Sequence, residues 1–177
     1  MLGFRFPIKT MAYVAKAETS SASPCRQIID EIIEKELPKT TSHKWTVLEL
    51  GCGSGYLLQR LSPESIKEYH GYDLRAVSST MHNARFHQKD LEDVTEFPIS
   101  YDLIVSVTFL EHIKKPFKIL KTAHRYLKKG GQHLHIVPNG ASLFLYGPHG
   151  WRQFNGKMLQ DAAEKFRDSD VSYHHAG

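Results

Sequence analysis

An α/β fold built on a doubly wound, mostly parallel sheet follows from three features of this 177-residue chain. Strand-like apolar runs alternate with helical patterns from Thr46 onward, and that order places helices on both faces of a sheet through right-handed crossovers. Leu103, Ile104 and Val105 are apolar at consecutive positions, as a strand buried on both faces requires. After the strand that begins at Thr46, glycine occupies every second position, Gly51, Gly53 and Gly55, in TVLELGCGSGY. Such a turn lets a ligand approach the backbone at the carboxyl ends of the strands, where open α/β sheets bind.

Taken in order, residues 1–22 read as loosely structured, and Ser20 to Ser23 form a polar break. Ser23 and Pro24 make an N-cap and first-turn pair. Ile28, Ile29, Ile32, Ile33 and Leu37 then recur at helical spacing until Pro38 stops them, which predicts an amphipathic covering helix. A polar linker, 39–44, leads to the strand ending near Glu49. Helices are expected over 55–61, 76–83 and 116–129, the last closed by Lys128, Lys129 and a left-handed Gly130 cap. Residues 140–150, rich in glycine, read as a mobile loop, 157–166 as a helix and 171–175 as a short last strand. The length suits one domain, 1–177, comprising an N-terminal segment with its covering helix (1–44), a core (45–139) and a lid loop with a short C-terminal part (140–177).

Lys and Arg number 23 against 19 Asp and Glu, a net charge of +4, but the basic residues are scattered, so nucleic acid is not favoured as a partner. Cys25 and Cys52 lie on different elements, and a disulfide between them would distort the glycine turn; reduced thiols point to the cytoplasm. No apolar run reaches the length of a bilayer span, and no signal-type segment opens the chain. Its first residues carry Arg5, Lys9 and Lys16 with no acid before Glu18, a composition shared with organellar transit peptides.

Spacing separates the ligands that a glycine turn can hold. A dinucleotide fingerprint would place its third glycine at position 56, which is Tyr56. The alternate glycines after Glu49 instead resemble the first motif of class I S-adenosylmethionine (SAM) dependent methyltransferases. Further segments match that family in order: YHGYD ending at Asp73, ARFHQKD ending at Asp90, YDLIVSVTFLEHI (101–113), and then YLKKGG and HLHIVPN up to Asn139. The resemblance implies a Rossmann-like methyltransferase fold and SAM as cofactor. It places Glu49, Gly51, Cys52, Gly53 and Gly55 around the methionine end, Asp73 with Leu74 at the ribose, Asp90 with Leu91 at the adenine, and Ser106 and Val107 beside the methionine part. Full members add an antiparallel pair of strands at the end, for which few residues remain here. Either the chain is a fragment or the fold is abbreviated at its C-terminus, with an open sheet edge for a homodimer partner or a loop to cover.

Methylation of a hydroxyl requires removal of its proton, work suited to a histidine near neutral pH. Glu111 and His112 come just after the strand that opens YDLIVSVTFLEHI, at its carboxyl end, which makes His112 the candidate base and favours a small-molecule O-methylation slightly. Two other readings stand beside it. FLEHI is similar to the metal-binding helix of small-RNA terminal 2′-O-methyltransferases, but an acid expected three residues before Glu111 is Thr108; a SAM-binding, non-catalytic subunit needing a partner is the other. His133 and His135 alternate at metal-compatible spacing without a third ligand, so no metal is expected. Tyr146, His149 and Trp151 are lid candidates, Tyr13 is a candidate cover for the cofactor, and His174 and His175 read as a frayed end.

Overall fold

The computed structural model describes residues 5–11, 24–37, 43–76, 82–138, 152–158, 161 and 170–176. Its strands are β1 (Arg5–Met11), β2 (Trp45–Leu50), β3 (Ile66–Asp73), β4 (Ala84–Gln88), β5 (Tyr101–Val107), β6 (Leu127–Pro138) and β7 (Asp170–Ala176), with helices α1 (Pro24–Glu36) and α2 (Pro116–His124). They form one seven-stranded sheet in the order β4-β3-β2-β5-β6-β1-β7. Every pairing is parallel.

Apolar alternation explains why the sheet is covered twice. On one face, Val47 of β2 and Leu103 and Val105 of β5 pack with Ile29, Ile32, Ile33 and Leu37 from the α1 segment. On the other, Leu48, Leu50 and Ile104 pack with Ile119, Leu120 and Ala123 of α2. Consecutive apolar residues in β5 thus serve two cores, as expected for a strand buried on both sides. Among the described residues, no helix is long and apolar enough to cross a membrane.

Several elements differ from the sequence expectation. Residues 55–61 form turns and a 3₁₀ segment, Leu58–Arg60, in place of a helix; Gly55 has φ +82°, which a right-handed helix cannot contain. Helix α2 stops at His124 because the chain is drawn into the sheet: Tyr126 N–H closes on Ala123 O, and Tyr101 N–H donates to Tyr126 O at 2.7 Å. Gly130 keeps its left-handed φ of +81° within β6, not at a helix end. At the N-terminus, where loose chain was expected, β1 lies between β6 and β7. Its pairing partner, His135 to Pro138, is so distant in sequence that local pattern holds no trace of it, and Pro7 weakens the strand signal further. Two parallel strands, β1 and β7, stand where an antiparallel pair or an open edge was expected, so β6 is not an edge. Most of the expected helix over 76–83 and of that over 157–166, the loop 140–150, and Tyr13, Tyr146, His149 and Trp151 lie outside the described residues. His174 and His175 belong to β7.

At the amino edge of the sheet, Asp102 Oδ2 accepts from Thr46 N–H and Lys128 Nζ, each at 2.8 Å, tying β2, β5 and β6 together. Burial alone would raise its pKa, but these donors more than offset that and hold the carboxyl below its ordinary value. A depressed carboxylate stabilises the fold above its unfolded pKa and loses that contribution as pH falls through the folded one. Asp102→Ala is therefore expected to lower stability at pH 7 by about 1–3 kcal/mol. The deficit should shrink below about pH 4, checked by urea unfolding at both pH values.

Candidate functional site

The carboxyl ends of β2, β3 and β5 meet at the glycine turn. Gly51, Gly53 and Gly55 have φ of +74°, +54° and +82°, so the chain coils in a conformation that side-chain-bearing residues disfavour. That coil aims backbone N–H groups at the neighbouring strand. Gly51 N–H and Cys52 N–H both donate to Tyr72 O, at 2.8 and 3.0 Å. Gly53 N–H donates to Asp73 Oδ2 at 2.8 Å. Arg75 N–H meets the other oxygen, Oδ1, at 3.0 Å. Each Asp73 oxygen therefore retains acceptor capacity beyond its backbone donor.

The three glycines are not equivalent. A Cβ on Gly51 would stand 2.0 Å from Cδ2 of Phe109, whereas one on Gly53 or Gly55 would meet nothing within 4 Å. Gly51 is the seat of an aromatic ring from the segment after β5, and the other two border open space. Leu74, next to Asp73, is 67% exposed and is the one large apolar side chain exposed among the described residues.

Glu49 lies beneath this surface, buried, with its Oε2 accepting from the Tyr69 hydroxyl. Burial pushes its pKa up to about 8; the Tyr69 hydrogen bond opposes the shift and the Asp73 charge adds to it. Cys52 is a free, buried thiol pushed up to about 12 by burial and by the carboxylates of Glu49 and Asp73. Glu49, Cys52 and Asp73 thus feel one another's charge, and Gly53 is tied to the last of them by its N–H.

Elsewhere the expected site residues are placed as follows. Asp90 Oδ1 accepts from Glu92 N–H at 2.9 Å, and Leu91 is buried in the α2-side core. Ser106 is buried, its hydroxyl 2.8 Å from Nδ1 of His135. Val107 packs against the α1-side core. Beyond β5, Thr108 has φ +45°, a left-handed conformation unusual for a β-branched residue. This turn feeds a 3₁₀ segment, Leu110–His112. The His112 side chain is 42% exposed, with Nε2 4.0 Å from Glu111 Oε1. Among the described residues no group of three or more His, Cys, Asp or Glu is placed to hold a metal ion.

Sequence reasoning missed three residues. Phe109 and Tyr69 act through contacts distant in sequence, for which no local signal exists. Glu111 was visible beside His112, but its burial was not: it is fully buried, and neither carboxyl oxygen has a hydrogen-bond partner. Burial raises its pKa to about 7. A separate cleft of about 350 Å³ runs between α1 and the Leu58–Arg60 turn, lined by Asp30, Ile33, Glu34, Leu37, Arg60, Leu61 and Ser62. It includes none of the glycine-turn residues.

Gly51→Ala is expected to destabilise the fold by more than the roughly 1–2 kcal/mol of a left-handed alanine, because it also displaces Phe109. Gly53→Ala should carry only the backbone penalty, and equal melting losses would contradict the distinction. Glu111 has a folded pKa above its unfolded one, so ionising it opposes folding, and stability should fall as pH rises from about 4.5 to about 7. Glu111→Gln should accordingly be more stable than wild type at pH 8, on the order of 3 kcal/mol, and no more stable at pH 4, as read by denaturant titration.

Comparison with known proteins adds family to geometry. The methyltransferase domain family matches residues 20–173. A ubiquinone biosynthesis O-methyltransferase from Pseudomonas paraeruginosa is 29% identical over 99 residues, 49% of this chain and 41% of that protein. A tRNA U34 carboxymethyltransferase from Idiomarina loihiensis is 30% identical over 99 residues, 49% of this chain and 30% of that protein. The chain therefore spans less than half the length of these relatives. Among solved structures, N-methyltransferase NodS from Bradyrhizobium japonicum, in complex with S-adenosyl-L-homocysteine, shares the fold at TM-score 0.58 and 15% identity, covering 82% of this chain and 76% of that one. With its family matched over most of its length and its parallel sheet closed by a glycine turn against Asp73, the chain belongs to the methyltransferase domain family and has the Rossmann-like fold of class I SAM-dependent methyltransferases.

Proposed function

We propose that the chain is one domain, 1–177, that binds SAM at the glycine turn and transfers its methyl group to a small-molecule acceptor, with a hydroxyl favoured. The observation that carries this reading is the junction of Gly53 and Asp73 beside open space: a carboxylate with spare acceptor capacity stands next to Gly53 and Gly55, where an added Cβ would meet nothing within 4 Å. A ribose diol fits such a carboxylate, and a methionine tail fits a bare backbone. Asp73 would hold the ribose, Leu74 would offer its exposed side chain to the adenosine, and Asp90 with Leu91 would meet the adenine. Glu49, Gly51, Cys52, Gly53, Gly55, Ser106 and Val107 would surround the methionine end. When bound, SAM supplies a methyl group already activated by its sulfonium.

What the chain must add is position and a proton acceptor. Thr108 turns the backbone after β5 so that Phe109 seats on Gly51, which brings the 110–112 segment to the edge where the cofactor would lie. His112, half-exposed there, would take the acceptor hydroxyl's proton at Nε2, while buried Glu111 beside it limits water. The ubiquinone O-methyltransferase relative supports a small hydroxyl acceptor. An RNA acceptor is the second reading, favoured by the tRNA-modifying relative. A buried, unpaired Cys52 beside the turn accords with a reducing, cytoplasmic setting.

Asp73→Ala should weaken S-adenosylhomocysteine binding by about 2–4 kcal/mol in calorimetry, since two charge-assisted hydrogen bonds are lost. Unchanged binding would sink the cofactor assignment. For catalysis, His112→Gln should lower turnover by roughly 100-fold to 10,000-fold while cofactor affinity holds, and wild-type turnover should rise with pH through the imidazole titration. Screening phenolic metabolites against RNA for methyl transfer separates the two acceptor readings.

A further inference from the structure

Three imidazoles and one hydroxyl form an unbroken row beneath α2. His133 and His135 occupy alternate positions of β6, and the register sets Ser106 of β5 directly beside His135. Ser106 Oγ lies 2.8 Å from His135 Nδ1, His135 Nε2 lies 3.0 Å from His133 Nδ1, and His133 Nε2 lies 3.3 Å from His124 Nδ1. Ser106, His133 and His135 are fully buried, whereas His124, in the last turn of α2, is partly exposed. Burial keeps both inner rings neutral: it takes His135 down to about 3 and holds His133 well below its ordinary value.

A neutral imidazole has one N–H and one bare nitrogen, so the row must be ordered head to tail. If every hydrogen points outward, Ser106 donates to His135, His135 to His133 and His133 to His124, and each group in the row is satisfied. If every hydrogen points inward, Ser106 accepts from His135 and its own hydroxyl hydrogen needs another acceptor. Its partner in the structure is His135, so the inward order leaves a buried donor unpaired. The outward order is therefore the resting one. Protonated His124 cannot join it, because a hydrogen on its Nδ1 would meet the Nε2–H of His133 head-on.

We propose that the row is a proton-coupled switch: proton uptake at His124 reverses every donor in it and releases the Ser106 hydroxyl hydrogen near the carboxyl end of β5. One hydrogen is gained in all. His124 ends with hydrogens on both nitrogens, His133 and His135 carry theirs on Nδ1 in place of Nε2, and Ser106 keeps its own. The surface of α2 is thereby linked to a strand end one residue before Val107 and three before Phe109, which seats on the glycine turn. Among the described residues, Lys121 shares the last turn of α2 with His124, and Arg125 follows it in the chain, its guanidinium donating to Thr95 O at 2.8 Å. On the far side of β6, β1 sets Ile8 beside His135.

The test uses the full chain labelled with ¹⁵N-histidine, with ring tautomers read from long-range ¹H–¹⁵N spectra. At pH 8, His133 and His135 should both be Nε2–H forms; on acidification both should exchange to Nδ1–H in the same titration that charges His124. Nδ1–H rings at pH 8, or rings that keep their tautomer while His124 charges, would overturn the switch. Ser106→Ala removes the hydroxyl that opposes reversal, so the His124 midpoint should rise by about one pH unit in a variant shown to be folded by near-UV circular dichroism. A merely structural role would change melting and leave that midpoint fixed, which would equally overturn the proposal.

Discussion

The tie between the ends of β2 and β3 is the constraint on which the site rests. Two backbone donors at Gly51 and Cys52 share the carbonyl of Tyr72, and the next donor, Gly53 N–H, takes the carboxylate of Asp73. Only a chain that alternates through left-handed glycines can present three donors to one neighbouring strand end in so few residues. With these bonds in place Asp73 is fixed in direction, Gly51 is close enough to receive Phe109, and open space is left at Gly53 and Gly55. Without them the acid and the turn would be separate surface features with no common geometry.

Two edges of one sheet handle their carboxylates in opposite ways. At the amino edge Asp102 is supplied with a lysine and a backbone donor and stays ionised. At the carboxyl edge Glu49 and Glu111 are buried with one hydroxyl between them, and burial drives both toward the neutral form. The first arrangement serves stability. The second forgoes it, which is the pattern expected where groups are held ready for something other than packing.

The fold class and the candidate site were legible in the sequence to the extent that their signals were local. Gly51, Gly53, Gly55 and Asp73 stand in short motifs, and the burial of β5 on both faces is written in three consecutive apolar residues. The covering helix begins at Pro24, as its first-turn proline implies. What was not legible depends on contacts between distant segments. Nothing near residue 130 reveals that Tyr126 will pair with Tyr101 and pull the end of a helical pattern into a strand. Nor does HLHI show that its two histidines face a serine and a helix end; alternate spacing resembled a metal site, and burial made it a hydrogen-bonded row.

The position of β1 bears on the order in which the molecule can be assembled. Among the described strands it comes first in sequence, yet its neighbours in the sheet are β6 and β7, the last two of them. As the chain leaves the ribosome, β1 must wait unpaired until β6 has been made and laid against β5, and β7 can join only after β1 is seated. The central strands β2 to β6 can close early, because each pairs with a neighbour near it in the chain or with one already in place. Non-local parallel pairings of this kind are slow, and they leave strand edges exposed in the interval. A nascent chain would thus pass through a stage in which the glycine turn is formed and the β6 edge is still bare, a stage at which a chaperone or another β1 could take the vacant place.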